Sequence, residues 1–203
     1  MSEEYQTKLP LLEDRKLYHS ITKILSATMP ESSKLQLQQW CERIGEKEAD
    51  RIMRESLKRG REIDQNVQLY FETGNCENDL LKNFLSGYKI RCIEQDVFSD
   101  IHKYKGRYDC IFEKDGRVII NDFKGSGKPK KKDWLNDYPL QLASYRAALL
   151  ENGIHIDYGM ISMLVEETRE VQVFIFSAPE LNSLFKQFQI RLQQYLQLLS
   201  KTK

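Results

Sequence analysis

Arg107-Tyr108-Asp109-Cys110-Ile111-Phe112-Glu113-Lys114-Asp115-Gly116-Arg117-Val118-Ile119-Ile120-Asn121-Asp122-Phe123-Lys124 decides the fold. Two apolar runs flank Asp115-Gly116, a dipeptide suited to a two-residue hairpin turn because both positions need positive φ. With that turn Lys114 faces Arg117, and the same register carries down to Asp109 opposite Asp122 on one face. Directly opposed Cβ atoms lie roughly 4.5–5.5 Å apart. Lys124 follows two residues after Asp122 and so points to the same face. Facing like charges destabilise a strand pair, and these two are embedded in Tyr108, Cys110, Ile111, Phe112, Val118, Ile119, Ile120 and Phe123. Such a pair needs a cation, or one acid must keep its proton. Oxygen ligands suit Mg²⁺ or Mn²⁺, and a lysine beside such an ion can stabilise developing negative charge or help activate a water. The competing reading is an edge hairpin whose acids alternate into solvent. The register, the added lysine and the apolar residues on both faces weigh against it, although a one-residue shift in the turn would remove the opposition.

Outward from the hairpin, Tyr88 to Phe98 reads as a preceding strand, and Tyr158 to Val165 and Val171 to Phe176 as two later ones joined near Thr168. Tyr138 to Glu151 is a helix closed by Asn152-Gly153, and a last amphipathic helix starts at Pro179. Upstream, Ser33 to Tyr70 carries Leu35, Leu37, Trp40, Ile44, Ala49, Ile52, Met53 and Leu57 at helical spacing. Gly45 reads as a break there and Gly60 as a close packing contact. Glu77 to Leu85 reads as a further helix, ended by Ser86-Gly87. The order is helices, three strands, helix, two strands, helix: an α/β (α+β) chain with one mixed sheet flanked by helices. The expected organisation is one domain over residues 1–203. It is mainly helical over 1–86, carries the sheet over 87–178, and ends in a helix over 179–203.

The 203 residues are 40% hydrophobic and 30% charged, which excludes a disordered or fibrous chain. Thirty-one basic against 30 acidic residues give a net charge of +1, without the basic excess common among nucleic-acid binders. Cys41, Cys76, Cys92 and Cys110 form no CxxC pair, and free thiols favour a reducing compartment. Met1-Ser2-Glu3-Glu4 is acidic and opens no apolar stretch, so no secretory leader is expected, and no apolar run is long enough to span a bilayer. The expected location is cytoplasmic, in a bacterial cell or a phage-infected host, ahead of a mitochondrion, since no Arg-rich transit segment is visible.

Gly106-Arg107-Tyr108-Asp109-Cys110 followed by Ile120-Asn121-Asp122-Phe123-Lys124-Gly125-Ser126 resembles the core of the PD-(D/E)XK nuclease superfamily, and Gln141 with Tyr145 resembles its QxxxY helix. The likeness is to the RecB-like branch, and within it to the group of the mitochondrial genome maintenance exonuclease and its phage relatives. Ser20, Thr22, Ile24 and Leu25 match a Ser-x-Thr-x-Ile-Leu stretch of that group, and Trp40, Arg43, Gly45 and Glu46 a Trp–Arg–Gly–Glu pattern. The resemblance implies a restriction-endonuclease-like core under an N-terminal helical arch. It implies Mg²⁺ or Mn²⁺, one or two ions, at Asp109, Asp122 and the carbonyl of Phe123, with Lys124 as the catalytic lysine. Glu94 matches the earlier acid of the family, with Asp96 two residues on as its rival. Relatives often place a His four residues after the glycine of an Arg-Gly pair. Here Arg59-Gly60 is followed by Asp64, a metal ligand or a helix-surface acid. DNA contacts are implied for Ser20, Thr22, Arg59, Gln141 and Tyr145, although Gln141 and Tyr145 also read as a buried pair tying helix to sheet. An iron–sulfur cluster, which some relatives carry on C-terminal cysteines, is not expected, since the last cysteine is Cys110.

Lys128, Lys130, Lys131 and Lys132 crowd a Gly- and Pro-containing loop just after Lys124. A flexible basic loop there can hold a phosphate backbone, although a charge run is more often a solvated face. Pro129 in place of Ser/Thr excludes a nucleotide-triphosphate loop. Trp40, Tyr70, Phe71 and Trp134 are candidates for stacking on unpaired bases. His19, His102 and His155 read as surface histidines without a catalytic role. The function expected from these features and the resemblance is a metal-dependent exonuclease on single-stranded DNA, a monomer serving replication, recombination or DNA repair. The rivals are a structure- or sequence-specific endonuclease on the same fold and a non-catalytic DNA-binding module.

Overall fold

The computed structural model describes Tyr5, Pro10, Leu11 and residues 14–201; the acidic Met1–Glu4 start lies outside the described residues. A short 3₁₀ turn leads into β1 (His19–Ser20) and α1 (Ile21–Ala27). Next come α2 (Glu31–Ile44), α3 (Glu46–Thr73) and α4 (Asp79–Leu85). The sheet strands are β2 (Lys89–Ser99), β3 (Tyr104–Lys114) and β4 (Arg117–Ser126), then β5 (Tyr158–Val165) and β6 (Glu170–Ser177). Helix α5 (Tyr138–Glu151) joins β4 to β5, and α6 (Ala178–Lys201) follows β6. The element order matches the sequence reading, apart from β1, which two residues are too few to announce.

The strands run β1-β3-β4-β5-β6, with β2 on the other side of β3. β4 and β5 are parallel, as the α5 crossover requires. The remaining long pairs are antiparallel. Because β3 and β4 carry apolar residues on both faces, helices cover both. On one face α1, α5 and α6 close over Tyr108, Ile111, Ile120 and Ile161. On the other, α3 and α4 bring Ile63, Val67, Leu81 and Leu85 onto Cys110, Phe112, Ile119 and Phe123. α5 lies between sheet and α6 and is buried on most of its circumference, Ser144 and Arg146 included.

β3 has two partners along one edge. Its last residues pair with β4 as far as Cys110↔Asn121, and its first two pair with β1 at Tyr104 and Lys105. Between them residues 106–109 have no strand on that side among the described residues. The sheet therefore parts at this point, and the candidate site occupies the opening.

The N-terminal helices form, but their apolar residues are mostly exposed. Leu35, Leu37, Met53 and Leu57, set at helical spacing, are each more than half exposed, and α2 buries no residue. Of the apolar residues at that spacing only Ala49 is buried. Gly45 does break the run, with φ of 84° between α2 and α3. Gly60 continues α3, and a Cβ built on it would meet nothing within 4 Å, so it marks no close contact. Among the described residues no helix is long and apolar enough to cross a membrane. All four cysteines are free, three of them buried.

Candidate active site

The turn forms as its residues require: Asp115 and Gly116 take φ of 52° and 71°, and the register runs Lys114↔Arg117 through Cys110↔Asn121. One step further the ladder opens. The Asp109 carboxylate accepts the Phe123 N–H at 2.7 Å, so Asp109 is tied to β4 through its side chain rather than by a backbone pair with Asp122. Asp122 is 1% exposed, and its Oδ1 has no hydrogen-bond donor among the described residues. Lys124 Nζ lies 2.6 Å from Asp122 Oδ2, a buried ion pair. The same ammonium sits 5.0 Å over the Tyr138 ring.

The acids here are electrostatically coupled. Burial first, and the Asp122 charge second, push the Asp109 carboxyl well above the usual range against the pull of Lys124 and the Phe123 N–H. Burial alone would depress the Lys124 ammonium, but the Asp122 and Asp109 carboxylates outweigh it and hold it above its ordinary value. Asp64, reaching in from α3, is raised by burial, with Lys124 opposing and Asp122 adding. Glu94 is raised by burial and then by Asp64. Glu94 falls between the pairs Ile93↔Cys110 and Gln95↔Tyr108, which sets it across from Asp109, and it takes φ of 51°. A left-handed non-glycine residue inside a strand costs about 1–3 kcal/mol. Its rival Asp96 is engaged elsewhere, accepting from Arg107 Nε at 2.8 Å.

Four acids and a lysine thus converge from β2, β3, β4 and α3. Among the described residues no three His, Cys, Asp or Glu side chains are closed to metal-ligating distance. The donor set nonetheless fits a hard divalent ion. One lysine faces the two buried carboxylates of Asp109 and Asp122, and Asp122 Oδ1 has no donor among the described residues, an arrangement that a further cation would relieve.

Ser20, Thr22, Gln141 and Tyr145 are brought together on the other side of the opening. They line a cleft of about 520 Å³ together with Lys105, Gly106 and Arg107 of β3. Ser20 Oγ and Thr22 Oγ1 are 2.8 Å apart, and Gln141 Nε2 donates to the Tyr145 hydroxyl at 2.6 Å. Tyr145 is 2% exposed, and burial and then the Asp122 charge raise its phenol. The pair therefore packs α5 against β3 and borders the cleft. Gly106 makes this possible, since a Cβ there would lie 2.5 Å from Tyr145 Cε1 and 2.8 Å from Ile21 Cδ1.

Other expected contacts are placed elsewhere. Arg59 packs over Gly125 on the opposite face of β4 and pairs with Glu166 at 3.2 Å. The lysine loop is less free than its composition suggests. Lys130 exchanges two backbone hydrogen bonds with the Gln172 side chain on β6, and burial lowers its ammonium. Lys131 lies 5.4 Å over Trp134. Lys132 donates to Glu180 at 2.8 Å and to the Ile175 carbonyl at 3.1 Å, so its charge is already engaged. Lys128 closes a tight turn in which Ser126 Oγ donates to its carbonyl at 2.6 Å. The aromatic candidates divide similarly: Trp134 is 54% exposed, whereas Tyr70 packs against the α3–α4 core. His19 and His102 pack against Tyr195 and Tyr104 rather than lying free on the surface. Sequence reasoning passed over Arg15, Lys105 and Arg107, all of which line the cleft. Arg107 stands inside the quoted hairpin, and only its distance in space from the turn marks it as part of the site.

The profile of the PD-(D/E)XK nuclease superfamily matches residues 2–201. Mitochondrial genome maintenance exonuclease 1 of Homo sapiens is 22% identical over 93% of this chain and 60% of its own length. That of Mus musculus is 23% identical over 93% of this chain and 61% of its own. The chain therefore spans about 60% of the length of these curated relatives. A solved structure from Eubacterium rectale, titled as an exonuclease candidate, superposes with a TM-score of 0.52 at 13% identity, covering 93% of this chain and 86% of that one. At that identity the likeness speaks for the fold, a mixed sheet flanked by helices of the restriction-endonuclease type. The profile match runs through nearly the whole chain and includes the hairpin that holds Asp109, Asp122 and Lys124, and this chain belongs to the PD-(D/E)XK nuclease superfamily.

Proposed function

We propose that the chain is a divalent-metal-dependent deoxyribonuclease that degrades single-stranded DNA from an end. The observation that carries this reading is Asp122: buried beside Asp109, with Oδ2 held 2.6 Å from Lys124 and Oδ1 lacking a donor among the described residues. Asp109, Asp122, the Phe123 carbonyl and Glu94 would hold Mg²⁺ or Mn²⁺, with Asp64 in electrostatic reach. When bound, such an ion lowers the pKa of water and neutralises charge on a phosphoryl group. The chain's own part is positional. The Phe123 N–H fixes one Asp109 oxygen and leaves the other to ligate. Lys124, kept protonated by its acids, places a full positive charge where the attacked phosphate becomes more negative. The exonuclease sense of the reading follows the curated relatives, whose name carries that activity.

The test is an end-labelled oligonucleotide incubated with Mn²⁺, alongside circular single-stranded DNA. Shortening of the linear strand, survival of the circle and loss of activity in Asp122→Asn support the reading. Cleavage of the circle would reassign the site to an endonuclease. Equal degradation by wild type and Asp122→Asn, or none by either, would sink it.

A further inference from the structure

The cleft beside the site has a charge balance that the acids of the metal centre do not share. Its lining includes three cations, Arg15, Lys105 and Arg107, and one carboxylate, Asp96. That carboxylate is occupied by Arg107 Nε at 2.8 Å, and Glu94 lies 3.8 Å from Arg107 Nη1. These contacts orient the guanidinium at the mouth of the cleft, two residues along β3 from Asp109, and leave Nη2 without a hydrogen bond among the described residues. Lys105 spends one donor on the Arg15 carbonyl at 3.3 Å and keeps two, since an ammonium carries three. Gly106 and Arg107 line it from the stretch of β3 that has no strand partner on this edge among the described residues. About 520 Å³ is room for a sugar and its phosphate, and Gly106 keeps that stretch low.

We propose that this cleft seats the phosphodiester next to the one being cut, with Lys105 and Arg107 as its phosphate contacts. The Asp96–Arg107 pair acts as the orienting partner that holds the guanidinium fork towards the strand. Guanidinium forks match phosphate oxygens two at a time, and a lysine adds a mobile point charge. The inference rests on the nuclease reading above and adds where the rest of the strand is gripped. It also moves the main grip from the lysine loop, where Lys132 is already committed, to the opening of β3.

The experiment separates the two ideas. Binding of a fluorescent oligothymidylate is followed by anisotropy in EDTA, which needs no catalysis, and KM and kcat are measured with Mn²⁺. The double variant Lys105→Gln, Arg107→Gln is expected to bind about tenfold more weakly and to raise KM by a similar factor. Its kcat is expected to stay within about threefold, and its salt slope to fall by about 0.7 for each phosphate that the side chains cease to neutralise. A scan of single neutral methylphosphonate linkages through the oligonucleotide gives the second readout. One linkage should weaken binding to the wild type and cost the double variant nothing. Unchanged Kd, KM and salt slope in the variant, or no such linkage in the wild type, overturns the inference even if the enzyme cuts DNA. A wild type that binds with the expected linkage dependence but never cuts refutes the nuclease reading and leaves the cleft as a strand-binding site.

Discussion

The end of the β3–β4 hairpin and the lysine loop that follows it are consecutive in sequence and opposite in physical character. At the hairpin, Lys124 and Asp122 form an ion pair with side chains 20% and 1% exposed. In the loop, Lys132 and Glu180 make a contact of similar length, 2.8 Å, with side chains 45% and 48% exposed. Water screens the second pair and costs it side-chain entropy, so such pairs contribute about 0–1 kcal/mol. The first pair is screened far less, and its remaining oxygen has no donor to satisfy it. Similar ion pairs therefore mean different things: the buried one stands among other acids that burial raises, the exposed one is a clasp holding a loop to α6.

Activity gives the widest separation. Asp122→Asn and Lys124→Ala should each lower the rate at saturating oligonucleotide by about 10²–10³-fold, the scale of losing one charge-stabilising group. Lys132→Gln should stay within about twofold. A large loss in Lys132→Gln would break the comparison and restore the loop as the principal strand contact.

Stability follows. Phe112 is fully buried beneath the hairpin, stacked on Tyr88 at 4.7 Å and edge-on to Phe123. Phe112→Ala should cost about 3–5 kcal/mol in denaturant unfolding, whereas Lys131→Ala in the loop should stay within about 0.5 kcal/mol. Equal costs would mean that the loop carries packing that its exposure denies.

The hairpin was legible for a definite reason. Asp115-Gly116 fixes the turn and the turn fixes the register, which holds from Lys114↔Arg117 to Cys110↔Asn121 and stops one step short of the expected Asp109–Asp122 pair. The parting of the strands beyond Cys110 was not legible, because it depends on β1, two residues from far upstream that take over the edge of β3. Hence sequence alone did not place Arg107 and Lys105 beside Ser20, Thr22, Gln141 and Tyr145, with which they line the cleft. Helical periodicity showed that residues 33–70 are helical, but it carries no information on whether the apolar face meets a partner. Leu57, at 61% exposure, is the counterexample. A run of lysines likewise gives charge but not the acids and carbonyls that engage it, such as Glu180 and Ile175.

Divalent ions should sharpen the contrast further. If Asp122 is waiting for a cation, Mn²⁺ at about a hundred times its Kd should add about 2.7 kcal/mol to unfolding. Asp122→Asn should remove that gain, and Lys132→Gln should retain it in full. Stabilisation of Asp122→Asn equal to that of wild type would place the ion elsewhere.

The smallest effect tests the clasp itself. Glu180 is held down to about 2 from an ordinary 4.5, chiefly by the hydrogen bond from Lys132 and then by those from the Ser177 hydroxyl and N–H. An acid whose folded pKa is depressed adds stability that is present above its unfolded pKa and lost as pH falls through its folded one. The clasp should therefore contribute fully at neutral pH, fade between about pH 4.5 and about pH 2, and vanish below. Exposure limits its worth to about 1 kcal/mol or less. Glu180→Gln should thus be slightly less stable than wild type at pH 7 and converge with it as the acid limit is approached, as read from urea midpoints. A gap that persists below pH 2 would mean that Glu180 acts through packing and not through its charge. If the curves converge while oligonucleotide affinity at pH 7 stays unchanged in Lys132→Gln, Lys132 holds the protein to itself rather than to a strand, and the grip is left to the cations at the opening of β3.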